Sequence, residues 1–197
     1  MNLEEEVKKV NWSNSSDVID FYESHKLFFN NTDSINDEKT ISAVISIMYH
    51  YANSLFLKNH FNRVYPVIDK AKKLLNKVPR GSNDYSTLYE NLLFLEARTL
   101  NNHKLYRKAK PLFEELVVHD PDNISYREWY LNNKISMYDI YFYTSLSIGV
   151  SLILIDIVFA FLHPIPIDLG LIGLGFIGVL YFVYKLFVRR VKSKLVT

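Results

Sequence analysis

The chain has 197 residues, with 23 Lys and Arg against 21 Asp and Glu and no cysteine. Disulfides, thiolate metal sites and a cysteine nucleophile are therefore excluded, and the near-balanced charge leaves no basic face of the size that nucleic acid requires. The averages hide a division, because residues 1–138 carry 18 of the basic and 18 of the acidic side chains, and no Lys or Arg occurs across the 50 residues between Lys134 and Lys185.

The opening MNLEEEVKKV lacks the apolar stretch of a signal peptide and is acidic where such a peptide is basic, so residues 1–15 read as an N-terminal tail. From there to residue 123 apolar side chains recur at a period near 3.6, predicting a helical domain over 16–123. Helices are expected at 16–30, 37–59, 61–77, 85–104 and 106–119, separated by turn chemistry in NNTDSIN, KVPRGSND and HDPDN. The last helix repeats the third at an offset of 45 residues, pairing Phe61 with Tyr106, Val64 with Ala109, Pro66 with Pro111 and Ile68 with Phe113. Ala52 pairs with Ala97 at the same offset.

In EARTLNNHKLYRKAKPLFEELVVHDPDN these residues resemble the tetratricopeptide repeat. Ala97 matches the small residue that lets the repeat's two helices close. Tyr106, Ala109 and Phe113 match the apolar positions of its second helix, and Pro121 with Asn123 its terminal turn. The resemblance covers residues 40–123, with a period of 45 in place of the family's length of about 34. It implies a tetratricopeptide-repeat-like stack of antiparallel helical pairs whose concave face binds a peptide or helix of a protein partner. Lys58, Arg63, Lys70 and Arg98 are the candidates for contacting that partner.

Ser125 to Glu128 has the spacing of a capping box. Residues 124–139 are expected to cap the stack and to run, with no proline or glycine before Gly149, into the apolar stretch 140–162. That stretch and 169–188 are 23 and 20 residues long. At ~1.5 Å rise per residue each can cross a hydrocarbon core of ~30 Å. Residues 163–168, HPIPID, supply two prolines for a turn. The C-terminal third thus reads as a two-helix transmembrane hairpin followed by a basic tail at 189–197, and the fold class as all-α. Arg127 and Lys134 precede the first run, Lys185 to Lys194 follow the second run's apolar body, and the turn has no cation. The positive-inside rule places both termini in the cytoplasm, with a bacterial cytoplasmic membrane as the expected location.

GLGFIG at 173–178 has the spacing of a dinucleotide loop, but such a loop follows a strand, whereas a proline turn precedes this one. Gly173 and Gly178 therefore read as helix-packing residues, together with Ser145 and Gly149. Asp156 is the one acid deep in the first run, where ionisable groups are costly. Three uses stand open for it: hydrogen bonding within the chain, pairing with another subunit's helix, or an ion or proton path. No HExxH pair, Gly-x-Ser-x-Gly elbow, P-loop or calcium loop occurs. No catalytic, metal or cofactor residue is assigned, and no enzyme activity is expected. The function expected is that of a membrane-anchored adaptor or scaffold holding a protein partner at the cytoplasmic face. The alternatives are a pore, transport or holin-like subunit in which the hairpin and Asp156 do the work, and a structural protein that forms a homo-oligomer through the hairpin.

Overall fold

The computed structural model describes residues 3–32, 35–162 and 169–196, which contain helices and no strand. The chain divides into two compact units, Met1–Asp120 and Pro121–Thr197.

The first unit holds α1 (Leu3–Val7), α2 (Ser15–Ser24), α3 (Lys26–Asn30), α4 (Glu38–Leu57), α5 (Phe61–Leu75), α6 (Asn83–Asn102) and α7 (Tyr106–His119). The helix expected over 16–30 is broken at His25, whose backbone (φ −106°, ψ 18°) leaves the helical region. Its ring Nδ1 donates to the Phe21 carbonyl at 2.9 Å. A side chain competing for a backbone acceptor ends one helix and starts the next. The other ring nitrogen, Nε2, lies 3.0 Å from Glu6 of α1. Trp12 packs on Phe21 and His50, with ring centroids 6.0 and 5.2 Å apart. The segment read as a tail is therefore held to α2 and α4.

The pair α4–α5 recurs as α6–α7 at the 45-residue offset seen in the sequence. The N-caps Asp37 and Ser82 each accept a bond from the amide three residues on, at Thr40 and Tyr85. Each pair turns through one residue in the left-handed region, Asn59 (φ 62°) and Lys104 (φ 61°). In both turns an amide reaches back five residues, His60 to Leu55 and Leu105 to Leu100, each at 2.9 Å. This closing bond satisfies a carbonyl that the helix end would otherwise leave open. The core repeats as well. Ala52 and Ala97 are fully buried, as are Val64 and Ile68 of α5 beside Ala109 and Phe113 of α7. An ion pair between Lys72 and Glu96 joins α5 to α6, and the Tyr89 hydroxyl donates to Glu115 at 2.6 Å between α6 and α7.

The second unit holds α8 (Ile124–Leu162) and α9 (Leu169–Val196). α8 is unbroken for 39 residues, on the order of 60 Å at the helical rise. Over Ile124–Val158 it is long and apolar enough to cross a membrane, and little of its most apolar stretch is buried. The turn expected at 163–168 lies outside the described residues. α8 and α9 pack antiparallel, since Tyr138 meets Phe187 (ring centroids 3.6 Å apart), Phe142 meets Tyr184 (4.4 Å) and Gly149 meets Gly173.

Candidate binding cleft

In the first unit α2, α3, α4 and α5 enclose an open cleft of ≈ 300 Å³. Its floor begins with an aromatic column in which Tyr22 stacks on Phe29 at 4.4 Å and on Tyr51 at 3.8 Å. Val67 and Pro66 of α5 continue it. Proline has no N–H to give the carbonyl four residues back, so Pro66 leaves the Asn62 carbonyl without its helical donor in the wall of the cleft.

The rim is charged. Glu23 of α2 receives the hydroxyl of Tyr51 and the guanidinium of Arg63, and Lys26 lies 3.3 Å away. Arg63 also donates to the Tyr51 hydroxyl at 2.8 Å. These donors, Tyr51 first, hold the Glu23 carboxyl below the ordinary carboxylate range. Burial, followed by the charge of Glu23, pushes the Tyr22 phenol up to about 12. Tyr51 moves in the same direction, through burial and then its bond to Glu23. Both phenols therefore keep their protons at neutral pH; buried and stacked on one another, they brace the floor, and Tyr51 serves as a donor, not as a base. With Lys26, Arg63 and Lys70 set against Glu23, the rim carries an excess of positive charge. The chemistry it supports is docking of an extended chain: apolar contact along the floor, with charge selection at the edge.

The network makes an acid-stability prediction. A carboxylate whose folded pKa is depressed contributes stability above its unfolded pKa and loses it as pH falls through the folded value. Stability should therefore fall below the ordinary carboxylate range, and Glu23→Gln should flatten that limb. Tyr51→Phe should cost about 1 kcal/mol at pH 7. Bonds to charged groups are worth ~1.5–3 kcal/mol when dry and less where water reaches them, and the Glu23 side chain is 32% exposed. Denaturant titration of the three proteins from pH 3 to 8 measures both effects, and equal acid limbs for wild type and Glu23→Gln would dissolve the assigned coupling.

The four candidate contact residues separate. Arg63 and Lys70, seven residues apart on α5, both line the cleft. Lys58 is the exposed C-cap of α4 and lies outside the lining. The Arg98 guanidinium sits 4.2 Å from the Phe56 ring centroid and 5.3 Å from that of Phe94, a packing position between α4 and α6. Sequence reasoning did not find Tyr22, Glu23 or Tyr51. Glu23 and Tyr51 lie 28 residues apart, and only the fold joins them. Among the described residues no group of three or more His, Asp and Glu could hold a metal ion.

In the second unit an added Cβ at Gly149 would stand 2.7 Å from Ile177 Cγ1, and one at Gly173 would stand 2.9 Å from Ile153 Cγ1 and 3.1 Å from the Gly149 carbonyl oxygen. A Cβ at Gly178 would meet nothing within 4 Å. All of GLGFIG lies inside α9, so its amides are committed to the helix and not to a phosphate. The Ser151 and Thr144 hydroxyls donate to carbonyls four residues back, at 2.9 and 2.8 Å. Asp156 is half-buried. Since Ile153 meets Gly173, the antiparallel register brings Asp156, three residues on, level with the first turn of α9. A helix N-terminus favours a carboxylate there. No protein-family model, no curated protein and no solved structure matches the chain.

Proposed function

We propose that the protein is a membrane-anchored adaptor in which the helical pairs of the first unit hold a segment of a protein partner and the α8–α9 hairpin fixes it to the bilayer. The observation that carries this reading is the cleft, with its aromatic floor and mostly basic rim. The repeated helical pair supports the likeness to tetratricopeptide stacks, whose class takes peptides or helices along such surfaces. The anchor is supported by α8, by exposed apolar side chains along both helices, such as Leu154, Leu174, Val179 and Phe182, and by the cations clustered at the C-terminal end of α9.

The test is a gentle-detergent purification at native expression, comparing wild type with Arg63→Glu/Lys70→Glu and with Lys58→Glu. A stoichiometric partner should remain with wild type and Lys58→Glu and fall at least ~10-fold with the double reversal, about the effect of losing 1.4 kcal/mol or more. A partner retained by the double reversal removes the cleft from the reading. One retained by residues 121–197 alone moves the function into the membrane pair.

A further inference from the structure

A second hollow lies within the α8–α9 pair. It is an apolar crevice of ≈ 170 Å³ whose walls include Tyr138, Tyr141, Phe142 and Ser145 of α8 and Tyr184 and Phe187 of α9. On each helix these residues follow the three-and-four spacing of one face. A dry cavity of about 150 Å³ accepts a benzene-sized hydrocarbon, so this crevice accommodates a run of methylenes. The Tyr184 hydroxyl is directed to Asp139, to which it donates at 2.6 Å, while its ring serves as wall.

One end of the crevice is basic. The contact of Tyr138 with Phe187 fixes the register there. One turn further toward that end, beyond the lining, helical spacing puts Lys134 on the same face of α8 as Tyr138 and Arg190 on the same face of α9 as Phe187. The Lys134 ammonium is held 4.3 Å from the Tyr130 ring centroid. Arg190 is exposed, and the tilt of helical Cα–Cβ bonds toward the N-terminus leans it back toward the crevice, while on the antiparallel α8 the same tilt carries Lys134 outward. Asp139 is the acid at this level, engaged by Tyr184. Lys185 and Arg189 add positive charge on neighbouring faces of α9. At the opposite end the long gap from 135 to 184 leaves no cation.

The geometry points to a binding site for an anionic phospholipid, with an acyl segment in the crevice and the headgroup at its basic end, the phosphate toward Arg190 and Lys134 one turn further out. Basic pockets between spans at the cytoplasmic surface are the form that lipid-headgroup sites take. The inference rests on the reading of α8–α9 as membrane-embedded.

The experiment uses the purified, delipidated full chain in detergent. Native mass spectrometry would compare the retention of dioleoyl phosphatidylglycerol with that of dioleoyl phosphatidylcholine. Phosphatidylglycerol should be preferred, and Lys134→Gln or Arg190→Gln should each weaken its retention about fivefold, the worth of one cation near a membrane surface. Ser145→Phe should fill the crevice and abolish retention of both lipids, whereas Leu186→Phe, an exposed change on another part of α9, should not; circular dichroism establishes that each variant keeps wild-type helicity. Equal retention of the two lipids overturns the proposal, as does a preference that survives both Gln variants. Detergent-stable dimers dispersed by Ser145→Phe overturn it in favour of a second copy's helix. A chain recovered from cells without detergent defeats the membrane reading itself, a result distinct from all of these.

Discussion

Phe113→Ala is expected to destabilise the first unit by about 3–5 kcal/mol, the range for removing a buried aromatic ring. Phe113 has no exposed surface, and its ring lies edge-on to Phe94 with centroids 6.5 Å apart. It occupies in α7 the place that Ile68 occupies in α5, so the loss falls on the second helical pair. Against a typical domain stability of ~5–15 kcal/mol that is about a fifth of the total or more. The matching surface change, Val118→Ala at a position 81% exposed, should stay within ~0.5 kcal/mol. Guanidinium titration of the full chain in detergent would measure both, followed by Trp12 fluorescence in a Trp129→Phe background, because Trp12 packs inside the first unit. A loss below 1 kcal/mol for Phe113→Ala would mean that α7 does not close on α6.

The expected helices 61–77, 85–104 and 106–119 correspond to α5 (Phe61–Leu75), α6 (Asn83–Asn102) and α7 (Tyr106–His119). These were legible because amphipathic spacing and turn residues act locally. The break at His25 was not, because it depends on an imidazole taking the Phe21 carbonyl, and a lone histidine inside a helical pattern gives no sign of doing so. The docked N-terminal segment was hidden for a related reason. Trp12 gains its partners only once α2 and α4 lie side by side.

The cleft was half legible. Arg63 and Lys70 share a face of α5 by spacing alone. The acceptor that organises Arg63 comes from α2, 40 residues earlier. Arg98 reads in sequence like any solvated arginine, and only the positions of Phe56 and Phe94 reveal the packing role. GLGFIG shows the same limit in the second unit. At about 100° per residue, Gly173 and Gly178 are roughly 140° apart around α9, so one packing face cannot hold both.

That difference sets the second large effect. Gly149→Leu should force α8 and α9 apart, while Gly178→Leu should leave them in place. At Gly149 the nearest atoms to an added Cβ are Ile177 Cγ1 at 2.7 Å and, behind it, the Gly173 carbonyl oxygen at 3.6 Å. A rotating Ile177 can make room for a methyl group, but no rotamer moves the backbone of α9, so a leucine must separate the helices at a cost of about 1–3 kcal/mol. On the proposed membrane reading, the pair associates through close packing and not through a hydrophobic drive, so little compensates for lost contact. Leucine is also the better helix former by several tenths of a kcal/mol or more, which removes weakened helicity as an explanation for separation. The chain has no native cysteine, so Phe142→Cys/Tyr184→Cys gives a disulfide reporter free of background at a position where the two rings now stack. Crosslinking in membranes should fall at least ~5-fold with Gly149→Leu, the factor for about 1 kcal/mol, and hold with Gly178→Leu. Two equal rates would mean that Gly149 does not set the approach of the two helices, and the pairing of Gly149 with Gly173 would have to be given up.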